Sequence, residues 1–222
     1  KLLTLRNRQS NKIETNESYE VIYYNNIDTN DNLIREYSDT PFIPKDEIER
    51  NKRCEEILNT RAFSLARRLE ATGIKSCVLG ISGGLDSTLA FLVTIKAFDI
   101  LNLDRSNIIG ITLPGFGTTN RTYNNACDLV KNYGATLKEI SIKEACIRHF
   151  KDIEQDINVT DITYENSQAR ERTQILLDYA NKVNGLVVGT GDLSELVLGW
   201  CTYNGDHMSN YAVNASIPKT LV

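Results

Sequence analysis

A chain of 222 residues with 41% hydrophobic and 24% charged content can bury one sizeable core, which predicts one main domain with room for an added arm. Its 25 basic and 29 acidic side chains leave a net charge of −4 with no long run of Lys or Arg, which disfavours a nucleic-acid groove, and no apolar stretch approaches membrane-spanning length. The cysteines (Cys54, Cys77, Cys127, Cys146, Cys201) form no Cys-x-x-Cys pair and His149 and His207 lie far apart, so a zinc ribbon, a disulfide framework and a His-rich metal cluster are disfavoured and a cytoplasmic protein is expected.

In chain order, residues 1–44 differ from the rest. Ser18 to Tyr24 has the composition of a short strand, Asn25–Asn32 is a turn-rich polar run, and Pro41 and Pro44 close the segment, which reads as a linker or arm. A start on Lys1 rather than methionine suggests a preceding segment, and a processed terminus would look the same. Lys45–Thr72 is patterned as a helix, with Ile48, Ile57, Leu58, Ala62, Leu65 and Leu69 largely on one side and Gly73 at its stop. An apolar strand ending at Ile81 runs through two glycines into a helix from Asp86 to Ala97. Then follow a strand at Asn107–Leu113, a helix at Thr119–Tyr133, a strand at Ala135–Ile142, helices at Lys143–Ile153 and Glu165–Val183, and a last strand at Gly185–Gly189. Strands alternating with helices predict an α/β fold, a parallel sheet with helices on both faces, whose ligands collect at the strand C-terminal ends. Ser82–Ser87, Pro114–Thr119 and Thr190–Glu195 stand there.

The stretch Gly80-Ile81-Ser82-Gly83-Gly84-Leu85-Asp86-Ser87 reads as a phosphate cradle. Its glycines can take backbone angles closed to other residues, and the following helix offers free N–H groups and partial positive charge beside the Ser82 and Ser87 hydroxyls. An ordinary strand–turn–helix junction with Ser82 or Asp86 as N-cap would use the same residue types. Neither Gly-x-x-x-x-Gly-Lys-Ser/Thr nor a Gly-x-Gly-x-x-Gly after a strand occurs, which removes the commonest nucleotide loops. Further on, Thr190 and the carboxylates of Asp192 and Glu195 follow a strand directly and reach toward the same place, although Thr190 as a helix cap and Glu195 on a solvated face would fit the segment taken alone. The only tryptophan, Trp200, sits among glycines and small polar residues in a loop suited to stacking on a flat ring, or to anchoring a surface turn.

Ser82-Gly83-Gly84-Leu85-Asp86-Ser87 resembles the Ser-Gly-Gly-x-Asp-Ser loop of the ATP pyrophosphatases. With Thr40–Pro44, Leu113-Pro114-Gly115-Phe116, Thr163–Arg170, Gly189–Tyr203 and Val213–Leu221, the chain from about Pro41 to Val222 resembles the synthetase domain of glutamine-dependent NAD synthetase. The resemblance implies the adenine nucleotide alpha-hydrolase-like (ATP pyrophosphatase) fold. It implies ATP binding by Gly80, Ile81, Ser82, Gly83, Gly84, Leu85, Asp86, Ser87 and Thr190, and magnesium on Asp86 and Glu195, which would be the catalytic pair. It places deamido-NAD against Asn166, Arg170, Glu195, Trp200, Cys201, Thr202 and Tyr203. In the ammonia-dependent branch a lysine stands in the place of Tyr203, so this chain has the glutamine-dependent form.

The implied reaction is adenylation of the nicotinate carboxylate of deamido-NAD, then displacement of AMP by ammonia. The family draws that ammonia from a glutaminase domain, for which residues 1–44 are too short, and its chains continue past Leu221. A missing N-terminal glutaminase domain, a linker at 1–44, a synthetase domain at 45–222 truncated at its C-terminus, and a homodimer or higher homo-oligomer are therefore expected. The apolar residues Ile175, Leu176, Leu177, Tyr179 and Ala180, wider than one stripe, suggest a subunit contact. The competing readings are another ATP pyrophosphatase, such as a GMP or asparagine synthetase or a tRNA-thiolating enzyme, and a nucleotide-binding fragment without catalysis.

Overall fold

Asp46 opens the first helix, α1 (Glu47–Thr72), its side chain accepting the Glu49 N–H at 2.8 Å, and Gly73 closes it at φ 70°. Ile22, Tyr23 and residues 35–222 are described by this computed structural model, in which Asp39–Val222 form one compact unit. The strand expected at Ser18–Tyr24 and the turn run at Asn25–Asn32 fall outside the described residues, apart from Ile22 and Tyr23. Within α1 the buried positions run only from Ala62 to Leu69, and Ile48, counted on the apolar side from its spacing, is exposed.

The remaining elements alternate as expected: β1 (Cys77–Gly80), α2 (Leu85–Ile100), β2 (Ile108–Thr112), α3 (Asn120–Asn132), β3 (Thr136–Glu139), α4 (Lys143–Asp152), α5 (Ile162–Lys182), β4 (Leu186–Gly189), α6 (Leu193–Leu198) and β5 (Tyr211–Ala212). The strands form a parallel sheet in the order β3-β2-β1-β4-β5. Strand side chains alternate between its two faces. Cys77, Leu79, Ile108, Leu186 and Val188 enter a core with α1, α2 and α3, whereas Val78, Ile109, Ile111 and Val187 enter a second core with α4 and α5. Gly110 lies on the first face, where a Cβ would stand 2.6 Å from Val130 Cγ2, so only glycine lets α3 approach that closely.

Helix α2 lies between the sheet and α1 and buries Ala90, Phe91, Val93, Ile95, Ala97 and Phe98 on more than one side. On the opposite face, Ile175, Leu176, Leu177 and Tyr179 of α5 and its C-cap residue Val183 pack against the second core and Ala180 is buried. The width read as a surplus for a subunit contact is therefore used inside the chain. Two boundaries also moved. Strand β3 stops at Glu139, although Ile140 N–H still donates to Thr112 O; α5 starts three residues before Glu165, because Asp161 caps it by accepting the Tyr164 N–H. The short elements α6 and β5 had no signature of their own, since six and two residues carry too little periodicity.

The order in which the parallel strands are laid down reverses about β1, whose neighbours are β2 on one side and β4 on the other. Strands diverging in this way leave a crevice beyond their C-terminal ends, and the candidate site occupies it.

Candidate active site

The turn after β1 explains its two glycines. Gly83 has φ +81°, and a Cβ there would stand 2.1 Å from the Thr122 carbonyl oxygen, so the loop can pass under the start of α3 only without a side chain. Gly84, not Ser82 or Asp86, is the N-cap of α2, and no side chain caps that end. The helix terminus keeps its partial positive charge open to an anion. Around it the Ser82 and Ser87 hydroxyls lie 3.1 Å apart, Gly84 N–H donates to Ser82 Oγ at 3.2 Å, and Ser87 Oγ donates to Gly84 O at 3.1 Å.

The second loop is built by a capping box. Asp192 accepts the Glu195 N–H at 2.9 Å while Glu195 Oε2 accepts the Asp192 N–H at 3.1 Å, which starts α6. The cap is therefore Asp192, which leaves Thr190 free of that role. Glu195 is half-buried beside Asp86, not on a solvated face, and Asp86, Asp192 and Glu195 present carboxylate oxygens within 4.8 Å of one another.

Between these carboxylates stands Lys219, which the sequence placed in a matching block without a role. Its Nζ lies 2.5 Å from Asp192 Oδ2, 2.8 Å from Asp86 Oδ2 and 3.0 Å from Glu195 Oε1. Burial of Asp192 works against its charge, but the Lys219 ammonium and the Glu195 and Ser194 N–H groups outweigh it and hold the carboxyl below the usual range. Burial likewise disfavours the Lys219 ammonium, yet the hydrogen bonds to Asp192, Asp86 and Glu195 hold its pKa above the ordinary lysine value. A second missed residue is Asn214, fully buried, whose Nδ2 donates to Asp86 O at 3.0 Å and to Thr190 O at 3.1 Å. One amide thus ties the start of α2 to the loop after β4.

The donor set fits a hard divalent cation. Three carboxylates converge, an ammonium already sits against all three, and Asp86 Oδ1 is buried with no hydrogen-bond partner among the described residues. A cavity of about 120 Å³ opens on this cluster, lined by Ser82, Asp86, Ser87, Thr190, Glu195 and the 201–207 loop. A larger cavity of about 800 Å³ shares Ser82, Thr190 and Asp206 with it and runs over the ends of β1, β2 and β4. The larger volume falls in the range of small-molecule sites.

The wall of the larger cavity at Leu113–Phe116 is held from α5. Arg172 Nε donates to Leu113 O at 3.2 Å and Gln168 Oε1 accepts the Phe116 N–H at 3.3 Å. A Cβ on Gly115 would meet both side chains, at 2.6 Å from Arg172 Nη2 and 2.7 Å from Gln168 Oε1. Burial lowers the pKa of Arg172, and the nearby Cys146 and Asp206 offset it in part. Two polar residues one helical turn apart were not legible as a wall without knowing which loop they face.

The remaining expected site residues divide. Gly80, Ile81, Ser82 and Thr190 line the larger cavity, and Asp86, Ser87, Glu195 and Cys201 the smaller. Gly83, Gly84 and Leu85 line neither of these two; they shape the turn. Asn166, Arg170, Trp200, Thr202 and Tyr203 line neither as well: Trp200 is 79% and Tyr203 75% exposed, and Arg170 Nε donates to Tyr203 O at 3.2 Å. Thr202 organises its own loop, its N–H donating to Asp206 Oδ1 at 2.9 Å and its carbonyl 2.6 Å from His207 Nδ1. A carbonyl can only accept, which puts a proton on Nδ1 of His207.

Residues 57–222 match the family described as NAD synthase. The chain is 44% identical over 195 residues, 86% of its length, to a glutamine-dependent NAD(+) synthetase of Mycobacterium leprae, and it spans about 29% of that relative. Its fold matches a glutamine-dependent NAD+ synthetase from Acinetobacter baumannii in complex with ADP, with TM-score 0.70 and 27% identity over 76% of this chain and 31% of that one. An NH3-dependent NAD synthetase from Campylobacter jejuni matches with TM-score 0.67 and 26% identity over 75% and 69% of the two chains. With its glycine turn, convergent carboxylates and parallel sheet all in place, the chain belongs to the NAD synthase family.

Proposed function

We propose that this chain carries the amide-forming step of NAD biosynthesis: ATP-dependent adenylation of the nicotinate carboxylate of deamido-NAD, followed by amidation to NAD. The observation that carries the reading is the uncapped α2 terminus beside the Asp86, Asp192, Glu195 and Lys219 cluster, at the mouth of a nucleoside-sized cavity. A carboxylate needs a leaving group before ammonia can attack it. Its oxygen bonds to the α-phosphorus of ATP as the bond to the β-phosphate oxygen breaks, and pyrophosphate leaves. Ammonia then adds to the acyl carbon, AMP departs with the carboxylate oxygen, and a proton is lost from nitrogen. The α2 N-terminus and the Ser82 and Ser87 hydroxyls stabilise the phosphates, and Asn214 holds the two loops in register. Magnesium on Asp86, Asp192 and Glu195 would supply charge neutralisation of the phosphate chain. No histidine is needed as general base for adenylation, since the attacking carboxylate is already ionised.

The nitrogen source is glutamine-derived ammonia from a glutaminase domain in the longer protein, with residues 1–44 as the connecting arm; the relatives' greater length and the glutamine-dependent name of the M. leprae relative support this. A cytoplasmic setting is supported by five free cysteines. The test is NAD and pyrophosphate formation from ATP, magnesium, deamido-NAD and ammonium, with xanthosine monophosphate as the competing substrate. We expect ATP binding by the 222-residue chain and no use of glutamine. Efficient NAD formation from glutamine by this chain alone would overturn the domain assignment, and adenylation of xanthosine monophosphate would overturn the substrate.

A second reading, nucleotide binding with weak turnover, is favoured by the exposure of Trp200 and Tyr203, which leaves the implied dinucleotide contacts unassembled. Calorimetric ATP binding without pyrophosphate release would support it.

Self-association belongs to the same proposal. Its support is the exposed apolar row Val197, Leu198, Trp200 and Tyr203, not α5, whose apolar residues are spent on the core. Light scattering at micromolar concentration should give at least a dimer; a monomer counts against the proposal.

A further inference from the structure

Lys219 stands where a cation belongs. Its ammonium is 2.5–3.0 Å from one oxygen of each of Asp86, Asp192 and Glu195, the same three carboxylates whose oxygens converge within 4.8 Å. Asp192 is fully buried, and a buried carboxylate without a counter-charge is costly, so the ammonium keeps the cluster stable by itself. An ammonium and a divalent ion cannot share those oxygens, because each needs them at contact distance and the two repel. The rest of Lys219 is arranged for departure. Its backbone is pinned by the N–H donating to Ser194 Oγ at 3.0 Å, while its side chain is 44% exposed and has solvent to move into.

We propose that Lys219 is a built-in competitor of the divalent cation: its ammonium closes the three carboxylates to a free ion and leaves them only when a polyphosphate arrives with the ion and offers other oxygens. Three carboxylates against one ammonium retain net negative charge, so the cluster still favours a doubly charged ion once the lysine has moved. Productive metal entry is thereby coupled to nucleotide entry, and an empty site does not fill with metal. The inference rests on the proposed nucleotide reading only for the identity of the polyphosphate.

The test uses Mn2+ alone as the probe, with free ion measured by electron paramagnetic resonance on the 222-residue chain, Lys219→Met and Lys219→Gln. The parent chain should bind Mn2+ at these carboxylates at least about tenfold more weakly than either variant, in line with the loss of one charged competitor. Adding Asp86→Asn to Lys219→Met should remove the gain. Circular dichroism checks that each variant is folded, and Gln keeps a polar group at the position if Met does not fold. A folded variant with no gain overturns the proposal, and so does micromolar Mn2+ binding by the parent chain at these carboxylates, whichever variants fold. No nucleotide is present in these titrations. Failure of the chain to bind ATP would therefore sink the function proposed above and leave this inference standing, whereas absent gain in a chain that binds ATP sinks this inference alone.

Discussion

Asp86→Asn is expected to lower ATP-dependent pyrophosphate release by about a hundredfold or more, the scale of losing one preorganised charge contact at a phosphoryl group. Asp86 is half-buried, holds the Lys219 ammonium at 2.8 Å and has a second buried oxygen with no hydrogen-bond partner among the described residues, so its charge acts on the cluster and not on the core. The substitution should leave the fold intact. The N-cap of α2 is Gly84, and the contact that ties Asp86 to the neighbouring loop uses its backbone carbonyl, which Asn214 still reaches. Glu195→Gln should behave alike, because the glutamine amide oxygen can still accept the Asp192 N–H and preserve the capping box while the charge is lost. Pyrophosphate release is measured in the longer enzyme with saturating ATP, and circular dichroism and thermal melting confirm folding. Near-normal turnover by either folded variant removes that residue from the charge cluster's function.

Gly83→Ala should abolish ATP binding and lower stability, the largest effect expected from removal or addition of so few atoms. The new Cβ meets the Thr122 carbonyl oxygen at 2.1 Å, and the obstacle is backbone that cannot turn aside as a side chain would. The positive φ of 81° adds a penalty of about 1–2 kcal/mol for any residue with a Cβ. Either the turn or the start of α3 must shift, and Thr122 of α3 lines the larger cavity. Calorimetry should show a loss of ATP affinity of at least about a hundredfold. Unaltered ATP affinity in Gly83→Ala would show that the cradle does not depend on this turn.

The alternation of elements, the parallel sheet and the position of the glycine turn after β1 were legible in the sequence because each rests on local pattern. Four residues of continuous apolar strand, two glycines and a helical repeat are enough to place β1, the turn and α2, and the serines and Asp86 fall at the turn by covalent connection alone. Thr190 and Glu195 could be placed at the mouth of the sheet for the same reason, since they follow β4 directly. What joined them was not local. Lys219 lies 133 residues from Asp86 along the chain, yet its ammonium is within 3.0 Å of both Asp86 and Glu195, and Asn214 bonds Asp86 and Thr190 across 128 and 24 residues. Both fall in the matching block Val213–Leu221, but nothing local gives either a role. The same holds for Gln168 and Arg172, which look like any polar pair on a helix until α5 is laid across the sheet beside the Leu113–Phe116 wall. Even the use of the α5 apolar face was decided in three dimensions, where α4 and the sheet absorb a width that spacing alone assigned to a partner. Helical hydrogen bonds and the apolar pattern of a strand or helix depend on neighbours a few residues away, and a chain records those neighbours directly. A charge cluster depends on which segments the sheet order brings to one edge, and that order is set only when the cores on its two faces close.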